Sequence, residues 1–325
     1  MLKSKCLIGT FLLFYFQFTF SQTGEFNYPN KPIRIVIPQS SGSATDTLIR
    51  VIAPKLTEQL GVALILDNRL GAGGIIGADA VAKSPADGYT LLVGATSWMT
   101  IAPHVYPSLS YEPQKDFSPI SIFAIGQNVL AVPANSPHNS VKDLIASMKD
   151  TPSAMNMASA GIGSTSHMAG ILLTSLSGAT AVHVPYKGAG PSVMSLLSGE
   201  SHWVFTPMQG PISLIRSGKL KALAVGGNVR SAILPNIPTV KESGVSAYDL
   251  KNWYGLLAPA GTPKSIIDKL NSSIVKISRL PEIKDHFYSQ GAEPVSNTST
   301  EFGSFIRDET ERMSIIVKTA GIKAE

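Results

Sequence analysis

The sequence predicts an α/β protein with two lobes around a central ligand cleft. Three observations carry this expectation. Short β-branched apolar runs alternate with helix-period segments along most of the chain. Two Ser/Gly-rich loops, at 38–46 and 159–167, each follow a strand and lead into a helix. A continuous strand-like stretch, Ile120–Pro133, separates one α/β run from the next and is a natural crossing between lobes.

Residues 1–21 read as a secretory signal, not as fold. Lys3 and Lys5 precede an apolar run from Cys6 to Phe20, and Thr19-Phe20-Ser21 offers a small-residue cleavage site before Gln22. The run is shorter than a membrane span needs; an uncleaved anchor is the alternative. Cleavage leaves 304 residues, takes away the only cysteine and lowers the net charge from +5 to +3. The mature chain then has no disulfide and no thiol nucleophile, and its length suits two domains. Lysine and arginine are dispersed, with no basic run, so nucleic acid is not an expected partner.

After a polar leader at 22–32, Ile33–Ile37 forms the first strand, and Pro38 ends its ladder. The chain turns through Gln39, Ser40, Ser41, Gly42 and Ser43 into a helix at 44–60, with Leu48, Ile49, Ile52, Leu56 and Leu60 on its apolar face. Ser43 and Asp46 make a capping-box-like start, Pro54 interrupts the helix, and Gly61 stops it. Val62–Leu66 is expected to be a strand buried on both faces. The glycines of 67–83 miss the dinucleotide spacing, because a G-x-G-x-x-G starting at Gly71 meets Ile76. They serve instead as a close-packed lead-in to a helix, with Arg69 facing either the cleft or solvent. Tyr89–Gly94 is a strand that delivers Thr96 and Trp98 to its carboxyl end, Trp98 as cavity wall or as core. Residues 101–119, rich in proline and aromatics, read as an irregular cover.

From Ser140 the rhythm restarts. Helices are expected at 140–149, 164–177, 190–198 and 209–217, and strands at 154–158, 181–184, 202–206 and 221–226. A strand at 253–258 and helices at 263–278, 281–290 and 300–319 follow. The expected organisation is lobe 1 at 22–127, lobe 2 at 128–228 and a return into lobe 1 at 229–325.

The second loop mirrors the first. A short strand runs into Ser159, Gly161, Gly163, Ser164, Thr165 and Ser166, with His167 in the first helical turn. A helix start leaves backbone N–H groups unpaired and carries a partial positive charge, so both loops suit a carboxylate. The alternative is that these residues only cap their own helices. Asp46 fixes its loop or meets a ligand hydroxyl; the structural role is favoured, since a bare carboxylate repels another. His167 and His183 are structural or ligand-facing, and Lys187 is solvated or steers anions. Phe205 and Thr206 close a strand beside the expected cleft.

Enzyme chemistry is poorly supported. The histidines have no metal-ligand spacing, and neither G-x-S-x-G nor G-K-[ST] occurs. No catalytic residue, cofactor or metal is expected.

The sequence resembles the tripartite tricarboxylate transporter substrate-binding proteins, the Bug family. The resemblance lies in Y-P-N-K-P-I-R-I-V-I-P at 28–38, D-N-R-L-G-A-G-G-I-I-G-A-D-A-V-A-K at 67–83 and S-P-A-D-G-Y-T-L-L at 84–92. H-V-P-Y-K-G at 183–188, Y-G-L-L-A-P-A-G-T-P at 254–263 and Q-G-A-E-P-V at 290–295 extend it over the whole mature chain. It implies a type II periplasmic-binding-protein fold, export to a Gram-negative periplasm, and capture of a small organic carboxylate by hinge closure. It further implies delivery to a two-component, ion-driven permease. The receptor is expected to be monomeric. The family's first loop matches Ser43 and Asp46, and its second matches Gly161, Gly163, Ser164 and His167. Backbone N–H groups, hydroxyls and ordered waters are its usual ligand contacts. Two departures stand out. Gln39, Ser40 and Ser41 replace an aromatic and prolines, and Phe205-Thr206 stands where an acid is common, which argues against an amino-bearing ligand. A periplasmic carboxylate sensor is the competing reading; an enzyme acting on such an acid is the weaker one.

Overall fold

The computed structural model describes residues 28–152, 154–319 and 322; the expected signal peptide lies outside the described residues. Ten strands form one curled sheet among them. β1 (Ile33–Ile37), β2 (Leu64–Asn68) and β3 (Thr90–Ala95) run parallel at one end, in the order β2-β1-β3. The helix after β1, α1 (Ala44–Leu60), buries the stripe given by its period, and Gly61 ends it in the left-handed conformation with φ 71°. Pro54 lies on its exposed face.

β2 departs from the expectation of burial on both faces. It is an edge strand beside β1, and Ile65 is 53% exposed. An unbroken apolar run does not distinguish a central strand from an edge. α2 (Ile75–Ala82) packs tightly against the sheet as expected: a Cβ on Gly77 would lie 3.0 Å from Pro38 Cα. The cover expected at 101–119 is partly helical. A π-helical turn, Ser97–Ile101, runs into α3 (Ala102–Val105), and irregular chain follows only from Tyr106.

β4 (Phe117–Pro133) is the long crossing strand. Up to Gln127 it pairs antiparallel with β9 (Lys251–Pro259). From Asn128 it pairs with β7 (Trp203–Pro207) and β8 (Leu220–Val225). α4 (Val141–Asp150), β5 (Asn156–Ser159), α5 (Thr165–Ser177), β6 (Val182–Pro185) and α6 (Ala189–Ser198) build the second α/β set. In it β5 runs parallel to β6 and β7. The helix expected at 209–217 shortens to α7 (Ile212–Arg216). The chain ends with α8 (Lys264–Ser278), α9 (Pro281–Ser289), the three-residue β10 (Ala292–Pro294) on β4, and α10 (Ser299–Thr319). β10 escapes sequence reading because three residues carry no period.

Two main cores result. One gathers β1, α1, β3, β9, α8 and α9; the other gathers the late part of β4 with α4, α5 and β7. The second core also takes in Ile101, Val105, Tyr248, Leu250, Met313 and Val317, so α10 packs along both. Trp253 anchors α10 at the first core, its ring edge-on to Phe302 at 5.5 Å.

The loop before α2 allows one test of packing. Gly74 has φ 106°, and a Cβ there would stand 2.4 Å from Trp98 Cε3. Gly74→Ala therefore combines backbone strain with an overfilled core. It is expected to lower stability by roughly 2–4 kcal/mol and to shift Trp98 fluorescence, both measurable by urea unfolding.

Candidate functional site

Each of the two helix starts is held open by its own serine. Ser43 caps α1, its Oγ accepting the Asp46 N–H at 3.3 Å. The capping box is only half made. Asp46 does not reach back to Ser43; its Oδ2 accepts the Gly42 N–H at 2.9 Å and the Arg50 Nε–H at 2.9 Å. Asn68 Nδ2 donates to Oδ1 at 3.0 Å. Burial by itself would raise the Asp46 pKa, but the hydrogen bonds from Arg50, Gly42 and Asn68 and the Arg50 charge outweigh it and hold it below its ordinary value. Ser164 caps α5 in the same way. Its Oγ accepts the His167 N–H at 3.2 Å and donates to the Gly161 carbonyl at 2.6 Å.

With those caps in place, the first two residues of each helix keep N–H groups that no intrahelical carbonyl can reach. They are Ala44 and Thr45 in α1, and Thr165 and Ser166 in α5. All four line one cavity of about 520 Å³. The positive ends of two helix dipoles thus converge on it from separate α/β sets. No aspartate or glutamate lines it, and Lys187 is the charged residue on its wall among the described residues.

Gln39, Ser40, Ser43, Thr96, Trp98, Gly161, Ser164 and Thr165 stand on the wall of this cavity. Gln39 is fixed by the Thr45 hydroxyl, which donates to its Oε1 at 2.7 Å. Thr96 Oγ1 accepts the Trp253 N–H at 3.1 Å and ties β3 to β9. Trp98 is both wall and core: fully buried, with its indole N–H donating to the Val93 carbonyl at 3.2 Å.

The other sequence candidates stand behind the wall. Ser41, Gly42 and Asp46 form the support of the first loop. Gly163 donates its N–H to His167 Nδ1 at 3.3 Å. His167 turns away from the cavity and stacks on His183, with ring centroids 3.8 Å apart. Phe205 lies in the second core, stacked on Tyr248 at 5.6 Å. Thr206 points to the opposite face of β7, near Gly210.

Apart from Lys187, which the sequence left as solvated or anion-steering and which stands on the wall, sequence reasoning passed over several lining residues. Gly71–Gly74 approach the second loop closely: Tyr106, beside Gly73, donates its hydroxyl to the Ile162 carbonyl at 3.2 Å. Tyr186–Ala189 form another part of the wall, for which the Y-K-G run was the available signal. Arg69 is not on the wall and pairs with Asp67 at 2.8 Å. Asn252 and Tyr254 project from β9, where two polar groups in an apolar strand were the only sign.

The histidine pair gives the second loop a pH limit. Burial, with the charge of His183, lowers the His167 pKa to about 3; burial lowers that of His183 to about 4. Both are neutral in the folded protein and protonate near 6.5 when unfolded. The unfolded state therefore binds more protons below pH ~6.5, and stability falls as pH falls from there toward the folded values. The loss is at most about 1.4 kcal/mol per pH unit for each histidine. Urea unfolding from pH 7 to pH 4 should show it, and His183→Phe should flatten the slope.

The chain matches the sequence profile of the tripartite tricarboxylate transporter family receptors over residues 48–322. It is 36% identical over 297 residues to protein BugT of Bordetella pertussis, covering 91% of each chain. Rpa4515 of R. palustris, solved with adipate, superposes with a TM-score of 0.88 at 32% identity, over 91% of this chain and 100% of that one. The periplasmic binding protein BugD gives a TM-score of 0.86 at 31% identity, again over 91% and 100%.

Proposed function

The chain belongs to the tripartite tricarboxylate transporter receptor family, whose members are binding proteins and not enzymes, and we propose that its cavity holds the carboxylate of a small organic acid between the starts of α1 and α5. The observation that carries this reading is the convergence of Ala44, Thr45, Thr165 and Ser166 on one acid-free cavity. Charge-assisted hydrogen bonds from backbone N–H groups are strong and do not need a lysine. The adipate held by Rpa4515 supports a carboxylate ligand. The contacts proposed are those four residues with Gln39, Ser40, Ser43, Thr96, Gly161 and Ser164; Asp46, Gly163 and His167 position the loops from behind.

The loops lie in separate α/β sets joined through β4 and β9, so closure about this crossing is the proposed capture step. It excludes water and strengthens the hydrogen bonds inside. The proposed lobes keep the crossings expected from the sequence, at 127/128 and 228/229, with Tyr248 and Leu250 of the return segment packed into the second core. The receptor then works as a monomer in the periplasm after cleavage near Ser21-Gln22 and hands its ligand to a membrane permease. BugD, a periplasmic binding protein, supports that location.

Calorimetric titration against mono-, di- and tricarboxylates, with mass spectrometry of any co-purified ligand, tests the reading. Binding of acids from the panel is expected. Binding of an uncharged solute, with none of the acids bound, would contradict it.

A further inference from the structure

Between β3 and β4 the chain makes an excursion from one core into the other. Trp98 and Met99 are buried in the first core. Ile101 and Val105 are 0% and 2% exposed in the second, with Tyr106 packed against it. Leu109 and Tyr111 are back in the first core. The base of the excursion is tied, because the Tyr111 hydroxyl donates to the Trp98 carbonyl at 2.6 Å. In the proposed division both ends belong to lobe 1, while the middle is held by lobe 2.

The middle also grips the second loop. The Tyr106 hydroxyl donates to the Ile162 carbonyl at 3.2 Å. Two glycines of positive φ bring backbone up to the ring. A Cβ on Gly163 would stand 3.2 Å from Tyr106 Cε2, and one on Gly73 would stand 3.5 Å from its hydroxyl oxygen. Gly73 comes from the lobe 1 loop before α2 and Gly163 from the second loop, so the ring is seated between the lobes. Tyr106, Gly73 and Ile162 all stand on the cavity wall. Lobes that part by bending at β4 and β9 must pull this contact open.

We propose that residues 99–111 form a strap that latches the lobes closed over the ligand, with the Tyr106 hydroxyl as its catch. The inference rests on the closure step proposed above. The catch bonds a carbonyl that lies between Gly161 and Gly163, so it holds the start of α5 toward the start of α1. Both ends of the strap are built to yield. A π-helical turn, Ser97–Ile101, leads in, and irregular chain follows Tyr106. Opening breaks the Tyr106 bond while Ile101 and Val105 stay in the second core.

The test measures the distance between two spin labels by pulsed EPR in the mature protein, since residues 22–325 contain no native cysteine. Gln59→Cys on α1 and Ala146→Cys on α4, both exposed positions, carry the labels. Tyr106→Phe keeps the ring and removes only the catch. It is expected to raise the ratio of long to short distances roughly three- to tenfold, in the free protein or under excess adipate. Tyr28→Phe is the control, because it loses a hydroxyl bond to the Gly88 carbonyl wholly inside lobe 1. It should leave the ratio within about twofold of wild type. Equal distances in Tyr106→Phe and wild type under both conditions, or the same shift in Tyr28→Phe, would overturn the strap. Failure of every acid of the calorimetric panel to bind would overturn the carboxylate reading, and the distances in the free protein would still decide the strap.

Discussion

Ala44→Pro is expected to weaken carboxylate binding by roughly 10- to 100-fold while the protein stays folded. Ala44 is the first residue of α1, where proline fits best because its missing N–H has no helical partner to lose. The preceding residue is already suited to a following proline: Ser43 has φ −67° and ψ 164°. The substitution therefore removes one cavity-facing N–H and leaves the helix intact. Losing one hydrogen bond to a charged group costs about 1.5–3 kcal/mol. Thr165→Pro is the counterpart in α5, after Ser164 with φ −72° and ψ 158°. Calorimetry reports affinity and thermal unfolding reports fold. An unchanged affinity in both variants would remove the helix starts from the site.

Asp46→Asn is expected to destabilise the protein by roughly 2–4 kcal/mol and to weaken binding along with it. The Asp46 carboxylate is 2% exposed and accepts from Gly42, Asn68 and Arg50. An amide in its place presents N–H to at least one of these donors. The Arg50 side chain is 46% exposed, so its charge contributes less than a fully buried pair would. Because the Asp46 pKa is lowered in the fold, its contribution is present above the ordinary carboxylate pKa and is lost as pH falls through the folded value. Urea unfolding at neutral and acid pH should show the variant converging on the wild type as pH drops through that range. A variant as stable as wild type at pH 7 would show that Asp46 does not hold the first loop.

The helix starts were legible because their chemistry is local. Ser43 and Ser164 sit three residues before the N–H groups they cap, and a strand precedes each, so spacing alone places them. Asp46 was expected to fix its loop or meet a ligand hydroxyl; in the structure it accepts from Gly42 and not from its own cap residue. Phe205 could not be placed from sequence. In a strand buried on both faces, nothing in the pattern says which face meets the cavity and which meets Tyr248. Asn252 and Tyr254 were missed for the same reason: in β9 they stand opposite Gly126 and Ala124 of β4, and Asn252 bonds Asn128, 124 residues away in sequence. The exposure of Ile65 likewise depends on strand order and not on composition. Tertiary neighbours decide these cases, and a single sequence does not contain them.

The most direct measurement is the amide NMR spectrum of the protein during titration with an organic acid that binds. The account predicts that the amide protons of Ala44, Thr45, Thr165 and Ser166 move downfield together, at one ligand concentration, as they take up hydrogen bonds to one carboxylate. Amides that stay fixed in either helix start while the acid saturates its site elsewhere would contradict it.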